Sequence, residues 1–136
     1  MDKNYIIETK NLTKQYGSQK SVADLNIHVQ KGRIYGLLGR NGAGKTTTMK
    51  MLLGLTKPTS GEVKIWGKSL QGNEKKLLPR IGSLIESPGF YPNLTATENL
   101  RIFATLRGVP NRHAIKDALD LVAVSYTHLT LPTICS

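Results

Sequence analysis

The sequence contains 136 residues, 39% of them hydrophobic, which is enough for one domain of ordinary size and leaves little room for a second. Lysine and arginine number 19 against 9 aspartates and glutamates, so the formal net charge is +10. Such a charge fits either a solvated surface or an anionic partner, whether nucleotide, nucleic acid or lipid headgroup. The single cysteine, Cys135, excludes an internal disulfide, and no Cys/His cluster has metal-ligand spacing.

The distribution of charged and apolar residues indicates which of these partners to expect and where the protein is located. The basic residues are scattered and do not alternate with aromatic residues, so no nucleic-acid partner is expected. No apolar run approaches the ~20 residues that cross a bilayer, and residues 1–9 lack the apolar core of a signal peptide. The sequence therefore predicts a cytosolic protein.

The first third of the chain has the pattern of β-strands. β-Branched residues with partial alternation predict strands over residues 5–12 and 21–29, with a turn at 16–18. The apolar run "IYGLLG", residues 34–39, predicts a buried strand that leads into a glycine-rich loop.

A helix is predicted directly after this loop. Met49, Leu52 and Leu53 fall on one helical face, and Gly54 stands where a helix ends. Alternation then predicts a strand over residues 61–67, and a further strand is expected in "IGSLIESPGF", residues 81–90, where Ser87, Pro88 and Gly89 stop it.

Two helices are predicted in the last third. Thr95 and Glu98 form a capping-box pattern that opens the first of them, and Gly108 ends it. The second has Asn111 as its expected cap. Its apolar face is predicted to contain Ile115, Ala118, Leu119 and Val122. The order of elements indicates an α/β fold with a helical piece after the strands.

The loop after the apolar run matches the phosphate-binding pattern G-x-x-x-x-G-K-[ST] at every fixed position. Glycines let the backbone approach a phosphate, successive N–H groups converge on its oxygens, and the following helix adds its N-terminal donors. Lys45 would contact the β- and γ-phosphates, and the Thr46 hydroxyl would ligate Mg²⁺. The predicted ATP-binding residues here are Gly39, Arg40, Asn41, Gly42, Ala43, Gly44, Lys45, Thr46 and Thr47.

The alternative interpretation of this loop is a glycine-rich turn that binds nothing. Its position between an apolar run and a helix favours the phosphate-binding interpretation. The pattern specifies nucleotide phosphates and leaves open the reaction that the bound nucleotide undergoes.

The longer stretch "GLLGRNGAGKTTTMKMLLGLTKPTSGEVKIWG", residues 36–67, resembles the nucleotide-binding domain of ABC transporters, and the resemblance runs from near Asn4 to about Val122. It implies a truncated P-loop NTPase of the ABC type, with antiparallel strands at the N-terminus and the start of the helical subdomain. Residues 1–123 would then be a partial, N-terminal piece of such a domain.

The resemblance also implies a platform for the adenine ring. Tyr16 lies 23 positions before Gly39, where ABC domains place an aromatic residue that stacks on adenine, and Val22 matches a small apolar residue that packs against the same base. The alternative is a tyrosine at a strand end without a ligand contact.

Glu86 stands where most ABC domains have a glutamine that reaches Mg²⁺. A glutamate there, followed by "GFYPNLTATENL", resembles the subgroup of bacitracin and lantibiotic resistance or export ATPases. The implied metal ligands are Thr46 and Glu86, with ATP and Mg²⁺ as cofactors. The alternative is an exposed carboxylate without a role.

The residues that complete catalysis in this family do not occur in the sequence. It contains no LSGGQ signature, no apolar strand ending in Asp-Glu and no switch histidine after them, so no catalytic residue is assigned. Glu98 and Asp120 are not substitutes, because both fall at exposed positions of amphipathic helices. The chain is expected to bind MgATP without completing hydrolysis and to leave apolar faces of its fold uncovered.

The last residues differ from the rest. No charged residue occurs from Leu121 onward, and residues 124–136 resemble the translation of a sequencing adapter, so a non-native tail is expected there. A hydrophobic tail or short β-segment is the alternative.

The resemblance implies an ATP-binding subunit that couples ATP hydrolysis to export of a drug or a peptide antibiotic or bacteriocin. The implied partners are membrane-spanning permease subunits and a second ATPase subunit, at the inner face of the plasma membrane. A soluble ABC protein of translation or DNA repair and a stand-alone P-loop nucleotide-binding module are the alternatives.

Overall fold

The computed structural model describes residues 4–40, 42, 44–85, 89–108 and 113–122, which leaves the expected tail at 124–136 outside the described residues. The chain divides into two compact units, with the boundary after Ile85. The elements of the first unit are β1 (Tyr5–Tyr16), β2 (Gln19–Leu25), β3 (His28–Gln30), α1 (Lys45–Leu52), β4 (Ser60–Ile65), β5 (Lys68–Ser69), α2 (Glu74–Leu77) and a 3₁₀ turn at Leu78–Arg80. Those of the second are α3 (Ala96–Arg107) and α4 (Ala114–Leu121).

A five-stranded sheet forms the first unit, with the order β2-β1-β4-β5 and β3 paired to β1. Every pairing is antiparallel, and β1, with 12 residues, is long enough to bond β2, β3 and β4. Opposite Cα atoms include Ile7 with Ile65 and Thr9 with Val63. The predicted strands over 5–12 and 61–67 are therefore present, and Gly17 occupies the predicted turn. The single strand predicted over 21–29 is divided into β2 and β3, because residues 26 and 27 are not in a strand.

The core of this unit lies where α1 packs on the sheet. Leu12 and Met51 are 0% and 1% exposed, and Val63 and Ile65 of β4 are buried as their alternation predicts. The remaining members of the buried cluster are Val22, Leu70 and Leu77. Burial of these apolar side chains supplies the main stabilisation of the unit.

The helix predicted after the loop exists as α1. Thr48 and Met51 are the buried residues of α1, whereas Met49 is 38% exposed and Leu52 and Leu53 are half-buried. The helix begins at Lys45, and Gly54, with φ 70°, follows its end as predicted. Leu52, one of the three apolar residues that share a helical face, packs against the core cluster as a partly buried residue.

The prediction of a buried strand over residues 34–39 was wrong. These residues carry no strand hydrogen bonds, and Ile34 and Leu38 are 102% and 94% exposed. The strand expected over residues 81–90 is also absent among its described residues, and Leu84 is 77% exposed. A strand needs a hydrogen-bonding neighbour, and no described strand pairs with either run. The expectation of uncovered apolar surface is confirmed by these side chains.

In the second unit, α3 begins and ends as the sequence predicts. The Thr95 side chain accepts a hydrogen bond from the Glu98 N–H at 3.1 Å, and Gly108 closes the helix in the left-handed conformation with φ 66°. In α4, Leu119 is buried while Val122 is 63% exposed. The helix starts after His113, and its predicted cap, Asn111, lies outside the described residues.

Candidate functional site

The glycine-rich loop and the first turn of α1 form the candidate site. Gly42 and Gly44 adopt φ of 82° and 89°, a conformation that favours glycine, and Gly44 is the N-cap of the helix. The Thr48 N–H donates to the Gly44 carbonyl at 2.8 Å and closes the first turn. Because that turn contains no acidic residue, the positive end of the helix dipole is not offset by a side chain.

A cavity of about 420 Å³ opens at this helix terminus. It is lined by Ser21, Gly42, Gly44, Lys45, Thr46 and Thr47. The Lys45 ammonium donates a hydrogen bond to the Gly39 carbonyl oxygen, so the side chain folds back across the loop. Gly39 and Arg40 are exposed, as is Thr46, while Lys45 and Thr47 are half-buried. Five of the predicted loop residues, Gly42, Gly44, Lys45, Thr46 and Thr47, therefore line one cavity, whereas Gly39 and Arg40 are described but do not line it.

Strand β2 packs against the glycine-rich loop at Gly44. A Cβ atom added to Gly44 would overlap the carbonyl oxygen of Ser21 and lie 3.0 Å from Cγ2 of Val22. Val22 itself is 7% exposed and belongs to the core cluster. Gly44 is therefore required both by its backbone conformation and by the closeness of the strand.

Tyr16 lies at the end of β1, on the hairpin whose second strand supports the loop. Its Cα partner across the hairpin is Gln19, and Ser21 follows only two residues later, about 7 Å along β2. Tyr16 as a residue is 53% exposed. The exposed Tyr16 side chain thus lies on the same hairpin as Ser21, which lines the cavity at the glycine-rich loop, called the phosphate-type cavity below.

The chemistry of this cavity suits a nucleotide phosphate. It combines backbone donors at a helix N-terminus, glycines without Cβ atoms, one ammonium group and hydroxyl groups. A hydroxyl such as that of Thr46 can complete the coordination of Mg²⁺ held by phosphate oxygens. The exposed ring of Tyr16 can stack on a base.

Several predicted site residues cannot be placed. Asn41, Ala43 and Glu86 lie outside the described residues. Within the described ranges, no three His, Cys, Asp or Glu side chains are grouped as a metal site. In the same part of the chain, no helix has the length and apolarity needed to span a membrane.

Ser21 was not predicted from the sequence, although it lines the cavity and its carbonyl oxygen contacts Gly44. The contact joins β2 to the loop across 23 positions of sequence, and the serine carries no pattern of its own. Only knowledge of how β2 packs against the loop could have identified it.

The sequence of the chain is similar to those of known proteins of one family. A family model described as ABC transporter matches residues 22–132. A bacitracin transport ATP-binding protein of Bacillus licheniformis is 58% identical over 121 residues, which cover 89% of this chain and 40% of that protein. A lantibiotic transport ATP-binding protein of Streptococcus pyogenes is 39% identical over 104 residues, covering 76% of this chain and 44% of that protein.

A solved structure of the ATP-binding subunit of an ABC transporter has the same fold. It is 33% identical, with a TM-score of 0.67, and the match covers 78% of this chain and 44% of that one. The chain therefore spans less than half the length of these relatives.

Proposed function

The chain belongs to the ABC transporter family, and from this premise we propose that it contributes the ATP-binding site of a subunit that couples ATP to export of a peptide antibiotic, bacteriocin or drug. Membership confirms the ABC-type P-loop fold predicted from the sequence. The bacitracin and lantibiotic relatives are transport proteins, which supports transport over a role in translation, in DNA repair or as a stand-alone module.

One observation carries the proposal: Gly42, Gly44, Lys45, Thr46 and Thr47 surround a single cavity at the N-terminus of α1. Nucleotide binding is a property of the family, and this cavity is where the chain offers the donors for it. The phosphates would lie against the loop, with Gly39, Arg40, Asn41 and Ala43 completing it. Tyr16 would receive the adenine ring, and Val22, which is 7% exposed, would pack against the same base.

Mg²⁺ is the proposed metal, held by the Thr46 hydroxyl, by phosphate oxygens and by the carboxylate of Glu86. Thr46 is the first residue after the lysine and lines the cavity. Mg²⁺ commonly binds through one or two protein oxygens and the phosphates of its nucleotide. The ion would neutralise phosphate charge, and Glu86 would couple the nucleotide state to a membrane partner.

We further infer that the 136-residue chain binds MgATP without completing hydrolysis. Phosphoryl transfer to water requires a group that orients or activates the water, and the sequence offers none in the family's pattern. Glu98 on α3 and Asp120 on α4 are exposed to solvent, and we infer that neither supplies this group. Binding and turnover are therefore separable properties of this chain.

The proposed partners follow from the family. They are membrane-spanning permease subunits and a second ATPase subunit, with no nucleic acid, and the proposed location is cytoplasmic, peripheral at the inner face of the plasma membrane. The names of the two relatives, both ATP-binding proteins of transport systems, support this arrangement.

The direct test is a titration of the purified chain with MgATP, combined with a measurement of phosphate release. We expect saturable binding that Lys45→Ala weakens, and no phosphate release above a protein-free blank. Absence of binding would refute the proposed site. Phosphate release by the unaltered chain that is lost in Lys45→Ala would refute the inference that the chain does not hydrolyse ATP, but would leave the proposed binding site standing.

A further inference from the structure

Lys14 contacts the ring of Tyr16 on the hairpin beside the phosphate-type cavity. The Lys14 Nζ atom lies 5.1 Å from the centroid of the ring, within the ~6 Å at which an aromatic face attracts a cation. The same atom donates a hydrogen bond of 2.8 Å to the carbonyl oxygen of Lys57. This second contact anchors the ammonium group over one face of the ring.

The C-terminal end of β1, which contains Lys14 and Tyr16, is hydrogen-bonded to Thr59, the residue just before β4. The Thr59 N–H donates to the Thr13 carbonyl at 2.9 Å, and the Gln15 N–H donates to the Thr59 hydroxyl at 3.0 Å. The Gln15 side chain also donates to the Gly17 carbonyl at 2.8 Å. These bonds restrict the backbone on both sides of Lys14 and up to the turn after Tyr16.

One face of the Tyr16 ring therefore stays available. Tyr16 as a residue is 53% exposed, and in the described part of the chain no second ring or cation packs on its ring. A planar group that stacks on Tyr16 has to use the face opposite the ammonium. The cation also attracts π-electron density toward its own side, which makes the opposite face a better partner for an electron-rich ring.

We propose that Lys14 is a positioning residue for the nucleotide base: it covers one face of Tyr16, holds the ring in place and restricts stacking to the other face. The inference rests on the proposed function, in which Tyr16 receives the base. Lys14 acts on the base and not on the phosphates, because its ammonium donates to the Lys57 carbonyl oxygen and lies over the Tyr16 ring. Lys14 is also absent from the residues that line the cavity.

The experiment compares two ligands, MgATP and magnesium tripolyphosphate, which share phosphate chemistry but differ in the base. Their dissociation constants are measured by calorimetric titration for the unaltered chain, Lys14→Met and Lys14→Arg. Methionine keeps most of the length of the side chain without its charge, and arginine keeps a cation that can lie over the ring. A third and a fourth variant, Tyr16→Ala and Tyr16→Ala with Lys14→Met, complete a double-mutant cycle.

We expect Lys14→Met to weaken MgATP binding about two- to fivefold, as loss of one partly exposed cation–π contact implies. Tripolyphosphate affinity should not change, Lys14→Arg should bind MgATP like the unaltered chain, and Lys14→Met should have no effect once Tyr16 is alanine.

Equal weakening of both ligands would overturn the inference, because Lys14 would then act as a charge on the phosphates. No effect on MgATP would overturn it too. If the unaltered chain bound tripolyphosphate as tightly as MgATP, Tyr16 would not be a base platform and Lys14 would have no such role. If it bound neither ligand, the proposed function itself would fail.

Discussion

Gly44 packs directly against the carbonyl oxygen of Ser21, so the phosphate-type loop rests on strand β2 with no room for a side chain. Gly42 has a similar backbone, with φ 82° against 89°, yet a Cβ atom there would meet nothing within 4 Å. Gly42 therefore needs glycine only for its left-handed backbone conformation, whereas Gly44 needs it also because the Ser21 carbonyl oxygen lies so close.

This pair gives the first prediction. Gly42→Ala should lower the free energy of unfolding by about 1 to 2 kcal/mol, the usual cost of a left-handed alanine. Gly44→Ala should lower it by about 3 kcal/mol or more, since overlap with Ser21 adds to that strain. Denaturant unfolding of both variants measures the difference. Equal losses would show that the loop can move away from β2 at little cost.

The second prediction concerns the charge of Lys45. Its ammonium donates to the exposed Gly39 carbonyl oxygen, and an exposed bond of this kind adds little to stability, so Lys45→Ala should leave the unfolding free energy nearly unchanged. MgATP and tripolyphosphate should both bind about 10- to 100-fold more weakly, as loss of charge-assisted bonds to phosphate implies. Lys75→Ala, which removes the same charge from an exposed position in α2, is the control. Similar affinity losses in both variants would point to net charge alone.

The third prediction concerns Glu86 and the metal. Glu86→Gln keeps the size of the side chain but removes a full negative charge, so the affinity for Mg²⁺ in the presence of ATP should fall. The measurement is the Mg²⁺ concentration that gives half-maximal ATP binding, with ATP held constant. Glu98→Gln, at an exposed position of α3, is the control. Unchanged Mg²⁺ dependence in Glu86→Gln would remove Glu86 from the metal site.

Local sequence patterns predicted the parts of the fold whose causes are local. The Thr95 hydroxyl and the Glu98 N–H are three residues apart, and the capping bond between them forms as the pattern indicates. The alternation of β4 likewise identified Val63 and Ile65 as core residues. The phosphate-type loop was recognisable for the same reason, since its glycines, lysine and threonine lie within one short stretch.

The errors arose where structure depends on a distant partner. The apolar run that contains Ile34 and Leu38 has the composition of a buried strand, but the described residues provide no strand to pair with it. Ser21 lies against Gly44, 23 positions away in the sequence, and Lys14 donates to the carbonyl of Lys57, 43 positions away. The sequence displays neither contact. Side-chain spacing alone could identify the cavity but not the residues that support it.

The fourth prediction contrasts two leucines. Leu38 is 94% exposed and Leu12 is 0% exposed. Leu38→Gln should change the unfolding free energy by less than about 0.5 kcal/mol and should reduce binding of a hydrophobic dye, because it removes apolar surface. Leu12→Ala should cost about 2 to 5 kcal/mol, as for other buried leucines. A large loss of stability in Leu38→Gln would mean that residues 34–39 are packed in solution.

The last prediction concerns Asn99, a buried polar residue of α3 that is 1% exposed and that no sequence pattern identified. Its Oδ1 accepts from the Tyr91 N–H at 2.8 Å, and its Nδ2 donates to the Tyr91 carbonyl at 3.1 Å. Nδ2 also donates to the carbonyls of Leu94 and Thr95, at 3.3 and 2.9 Å. One amide thus fixes the segment before α3 onto the helix.

Asn99→Asp should therefore destabilise this segment by about 3 kcal/mol, because a carboxylate oxygen would replace the donor that faces three carbonyl oxygens. The Tyr91 amide should exchange with solvent faster, and protease cleavage between residues 89 and 95 should accelerate. Asn93→Asp, the same chemical change at an exposed position of that segment, should have neither effect. If both variants exchanged at the same rate, the added charge rather than the lost donor would explain the change, and Asn99 would not hold the segment.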